Sequence, residues 1–86
     1  MSNESSALIA RGQRAEALLA TDMFQLATRD VEAGIVNDML VTEPHEAKKR
    51  EGLYQKHQGL MDIVGTLKSY IETGLAEQER SENAED

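Results

Sequence analysis

The stretch Leu53-Tyr54-Gln55-Lys56-His57-Gln58-Gly59-Leu60-Met61-Asp62-Ile63-Val64-Gly65-Thr66-Leu67-Lys68-Ser69-Tyr70-Ile71-Glu72-Thr73-Gly74-Leu75 decides the fold class. Within it Leu53, His57, Leu60, Val64, Leu67, Ile71 and Leu75 follow one another at steps of four and three. That is the spacing of a helix seam packed against another helix. Upstream, Phe24, Ala27, Val31, Ile35, Asp38 and Thr42 form a second stripe of the same period, and Leu8, Gly12, Ala15 and Leu19 a third. No run alternates with period two, so no strand is expected.

Punctuation between the stripes gives the order of elements. Pro44, the only proline, sits in Thr42-Glu43-Pro44-His45-Glu46 and suits a first helical turn. Asp22 with Gln25 has the form of a capping box after Leu18-Leu19-Ala20. The expected fold is all-α: a helical hairpin with a short extra N-terminal helix, self-associating as a bundle. Its helical domain spans residues 7–76, with helices at about 7–20, 22–41 and 44–75. Residues 1–6 are expected to be a disordered N-terminus. Residues 77–86, which hold five acids and one arginine with almost no apolar residue, are expected to be a disordered acidic tail.

Composition limits what such a chain does. Its 86 residues carry 9 Lys plus Arg against 16 Asp plus Glu, a formal charge of −7, with 3% aromatic residues and no cysteine. One thin core is all this length supports, and neither disulfides nor thiolate-bound metal reinforce it. Oligomerisation is the remaining route to stability. The acidic balance argues against nucleic acid as a partner, because duplex affinity depends on neutralised phosphates. Polar residues at the start, including Glu4, do not resemble a signal peptide, and apolar runs are far shorter than a membrane span. The expectation is no membrane association.

Glycine is unusual in its placement. Gly12, Gly34, Gly52, Gly59, Gly65 and Gly74 all fall within or at the ends of helical patterns. Each interior glycine costs about 1 kcal/mol relative to alanine, so some must have a purpose. Gly52 and Gly59 flank the seam leucines, where they either admit a neighbouring backbone or leave the helix weak, curved or frayed.

Chemistry-bearing constellations are sparse. His45 and His57 are twelve residues apart and belong to no metal-ligand spacing; no cofactor is expected. His57 is read as a polar seam residue that sets register or partner choice. There is no cysteine nucleophile and no serine with an arguable histidine and acid, so the chain is expected not to be an enzyme. Helical-bundle enzymes of about this length, such as the small chorismate mutases, hold a dianion with several inward arginines. Here Arg11, Arg14 and Arg29 are read instead as a solvated helix face. Lys48, Lys49 and Arg50 form a basic cluster interleaved with Glu43, Glu46 and Glu51, which suits an exposed, ion-paired surface better than an anion site.

The pattern Ala7-Leu8-Ile9-Ala10-Arg11-Gly12-Gln13-Arg14-Ala15-Glu16-Ala17-Leu18-Leu19, the acidic turn before Phe24, Arg50-Glu51-Gly52-Leu53-Tyr54 and Gln58-Gly59-Leu60 resemble short acidic helical proteins of tailed-bacteriophage structural gene blocks. The resemblance implies a non-enzymatic phage protein that binds other phage structural proteins in virion structure or assembly. Its location would be the host cytoplasm or the virion. The alternative is a phage-encoded inhibitor of a host defence or nucleic-acid enzyme. Self-association and helix packing are assigned to Phe24, Val31, Ile35, Leu53, His57, Leu60, Val64, Leu67 and Ile71, with the chain itself as the first partner.

Overall fold

The computed structural model describes residues 2–85, and every regular element in that range is a helix. They are α1 (Asn3–Leu19), α2 (Asp22–Leu40) and α3 (Ala47–Glu85). Met1 and Asp86, part of the two ends expected to be disordered, lie outside the described residues.

The ends differ from the sequence reading. Ser2 caps α1, its hydroxyl accepting from the Ser5 amide at 3.0 Å. A serine oxygen at this position satisfies an amide that the first helical turn leaves unpaired. The helix therefore starts four residues earlier than position 7. At the other end α3 runs on to Glu85 instead of stopping near 75. Ser5 is 4% exposed and donates to Glu77 Oε2 at 2.8 Å while accepting from Arg80 Nη2 at 3.0 Å. Polar side chains, not an apolar face, bring this segment against α1.

Pro44 also stands elsewhere than expected. The Glu46 amide donates to the Glu43 carbonyl at 2.9 Å, which closes a turn with Pro44 at its second position, where a fixed φ is favourable. Helix α3 then begins at Ala47 rather than at Pro44. Its first turn holds Lys48, Lys49 and Arg50, the wrong charge for a helix N-terminus. Arg50 relieves this by reaching back. It donates to Thr42 Oγ1 at 3.1 Å, to the Glu43 carbonyl at 2.6 Å and to the Pro44 carbonyl at 3.2 Å.

The chain divides into two compact units. In the first, α1 packs on the part of α3 from Gly65 onward. Ser5 meets Glu77 and Arg80, whereas Ala15 and Leu18 share a groove with Leu67, so the two helices run antiparallel. In the second, α2 packs on α3 up to Val64, with Glu32 opposite His57 and Thr42 opposite Arg50. That pair is antiparallel as well.

Candidate interaction site

In the first unit the helix crossing is set by two glycines. A Cβ added at Gly12 would stand 2.8 Å from the Tyr70 carbonyl oxygen and 3.2 Å from the Gly74 Cα. One added at Gly74 would stand 3.2 Å from both the Gly12 Cα and the Leu8 carbonyl oxygen. At Gly12 a methyl group requires the backbone to shift, and at Gly74 its neighbours would have to give by a few tenths of an ångström. Gly52 and Gly59 do not admit a neighbouring backbone: an added Cβ meets nothing within 4 Å at either, nor at Gly34 or Gly65. The close approach falls instead on two glycines other than those flanking Leu53 and Leu60. The working pair lies 62 positions apart, one glycine on each helix.

The two sides of this crossing differ. On one, Ile9, Gly12, Gln13, Glu16, Ile71, Gly74, Leu75 and Gln78 leave about 20 Å³, room for about one water. On the other, Arg11, Arg14, Ala15, Leu18, Leu67 and Tyr70 line an open groove of about 370 Å³. The Arg11 guanidinium lies over the Tyr70 ring, 4.0 Å from its centroid, in a cation–π contact. Arg11 is exposed, as are Arg14 and Arg29, in keeping with a solvated helix face, but its guanidinium is also held beside an aromatic ring.

In the second unit the buried apolar side chains are Ile35 and Leu53, 7% and 8% exposed. Phe24, His57, Leu60 and Val64 are half-buried around them, as are Leu67 and Ile71 in the first unit. Val31 departs from its assigned packing role, being 52% exposed. The inner face of α2 instead follows Phe24, Thr28, Glu32, Ile35 and Met39, and the line runs on to Thr42 just past the helix end, each buried or half-buried. This stripe shares Phe24, Ile35 and Thr42 with the expected one but passes one position later in between. Thr28 tolerates it because its hydroxyl donates to the Phe24 and Gln25 carbonyls at 3.0 and 3.1 Å. Glu32 gains a partner there, its Oε2 lying 3.3 Å from His57 Nε2.

The displaced stripe leaves much of the second unit's apolar surface uncovered. Met23, Leu26, Val31, Val36, Leu40, Val41, Tyr54, Met61 and Ile63 are each 37% exposed or more. Leu26, Ala33 and Leu40 recur every seven residues on α2, so they share the side opposite Ile35.

The basic cluster at the start of α3 is committed internally: Arg50 holds the preceding loop, and Lys49 Nζ lies 3.9 Å from Glu46 Oε2. Among the described residues no group of three or more His, Cys, Asp or Glu converges as a metal site would require. Among the described residues no helix is long and apolar enough to cross a membrane.

Comparison with protein-family models, curated proteins and solved structures returns no match to this chain.

Proposed function

We propose that this chain is a non-enzymatic protein-binding module that self-associates, α2 and the first half of α3 acting as a helical hairpin whose outer face joins copies into a bundle. The observation that carries this is the second unit's apolar balance: two large apolar side chains buried, nine exposed. Single exposed leucines are ordinary on a monomer, but a heptad-spaced row opposite the packed face is a second seam. Leu26 and Leu40, at 46% and 77% exposure, form it with Ala33 between them.

Within this reading, a role in virion structure or assembly, with other phage structural proteins as further partners, is the proposal that follows from the sequence resemblance to tailed-phage structural proteins.

Analytical ultracentrifugation of the parent and of Leu26→Glu/Leu40→Glu tests the self-association. The parent is expected at a multiple of 9.5 kDa at micromolar concentration and the variant at 9.5 kDa with its helicity kept. A parent that stays monomeric up to hundreds of micromolar overturns it.

A further inference from the structure

The groove of about 370 Å³ beside the Gly12–Gly74 crossing combines charge and apolar surface in a way the rest of the molecule does not use. From it we infer a docking site for an acidic–apolar peptide segment of a partner protein, one that sets a carboxylate directly beside aliphatic side chains. This rests on the reading of the chain as a protein-binding module, but not on its self-association.

Charge selects the ligand's polar end. In a chain of net charge −7, Arg11 and Arg14 both line this groove. Among the described residues neither forms an ion pair with a carboxylate, whereas Lys49 and Arg80 each have one. Two guanidiniums one helical turn apart present forks suited to the planar, two-oxygen geometry of a carboxylate. The Arg11 guanidinium carbon lies over the Tyr70 ring, 4.0 Å from its centroid, a contact that holds the fork at the groove and lowers the entropy lost on binding.

The floor selects the ligand's other end. Ala15 is 4% exposed, Leu18 is 42% exposed, and Leu67 completes the surface. A purely ionic ligand such as phosphate would leave this apolar area wet, and an uncharged aliphatic one would leave both arginines unpaired. The groove is open, so it covers one or two side chains of a longer segment and not the whole of a free small molecule. Duplex nucleic acid is disfavoured by the surrounding charge.

The test uses N-acetyl-leucyl-leucine, with its free carboxylate, against N-acetyl-leucyl-leucinamide and inorganic phosphate, each titrated at millimolar concentration into the labelled full chain by NMR. The carboxylate probe is expected to shift the Arg11 and Arg14 side-chain N–H signals together with the Leu18 and Leu67 methyls. The amide should bind about tenfold more weakly, because it forfeits the charge-assisted hydrogen bonds. Arg14→Gln, at an exposed position, should weaken the probe about fivefold or more without moving the melting temperature, and Arg14→Lys should fall between. Equal binding of acid and amide overturns the site, as does phosphate binding as tightly as the peptide acid, or shifts that bypass Arg14. A monomeric chain that binds the probe in this way keeps the site and loses the self-association; an oligomer that ignores it does the reverse.

Discussion

Gly12 and Gly74 meet backbone to backbone, so close that a methyl group on either would stand 3.2 Å from the other's Cα. The contact fixes the crossing of α1 on α3, and with it the position of Arg11 over Tyr70, since Gly12 lies against the Tyr70 carbonyl. Gly12→Ala is expected to destabilise the protein by roughly 1–3 kcal/mol, the usual cost of overpacking against backbone that has little room to yield. Gly59→Ala, in open space within α3, should instead stabilise by up to about 1 kcal/mol. Thermal denaturation of the two variants decides it; shifts of the same sign would mean that the close approach is absent.

The C-terminal part of α3 is tied to α1 through a charged residue, and that makes its attachment pH-dependent. Hydrogen bonds from Arg80 first, and then from Ser5, hold the Glu77 carboxyl below its ordinary value of 4.5. A depressed folded pKa means the unfolded chain binds the proton more readily. The contribution is therefore fully present above the unfolded value and is lost as pH falls through the folded one. Amide exchange at Ser5 and Ser6 should be slower in the parent than in Glu77→Gln at neutral pH, and the difference should disappear at the acid end. A difference unchanged down to pH 2 would show that the carboxylate is not the attachment.

Arg50 predicts a sharp contrast within the basic cluster. Its guanidinium bridges three oxygens of the loop from Thr42 to Pro44. Arg50→Lys keeps the charge but loses the fork, and should cost about 1–2 kcal/mol. Lys49→Ala should be nearly silent, because its contact with Glu46 is long and its side chain is 58% exposed. Equal effects in urea denaturation would refute the staple.

What was legible in the sequence follows from which forces leave a periodic trace. The all-α class was legible, because the Leu53 to Leu75 seam has no counterpart of period two. Long-range polar contacts leave no such trace. Nothing in Ser5, Glu77 and Arg80 marks them as partners 72 and 75 positions apart, so the acidic end of the chain reads as unattached. Arg11 and Tyr70 are hidden in the same way, one in a charged face and the other an isolated aromatic. Ser2 and Ser5, by contrast, carried a local signal that apolar periodicity does not contain: a capping serine whose hydroxyl accepts from the amide three residues later.

The register of α2 is the remaining point, because two stripes compete for it and differ at a few positions. The stripe through Ala27, Val31 and Asp38 is more apolar at its centre, whereas that through Thr28, Glu32 and Met39 brings Glu32 to His57 and lets Thr28 bond its own helix. Both contain Ile35, so Ile35→Ala does not separate them; it should cost about 2–5 kcal/mol in either case. Val31→Ala does. At 52% exposure Val31 has little burial to lose, so the change should fall within about 1 kcal/mol, while Met39→Ala, on the half-buried side, should cost more. Oligomer dissociation must be kept apart from unfolding, so both variants are measured in the Leu26→Glu/Leu40→Glu background. If Val31→Ala is the costlier of the two there, α2 packs on α3 through the other stripe and Glu32 does not face His57.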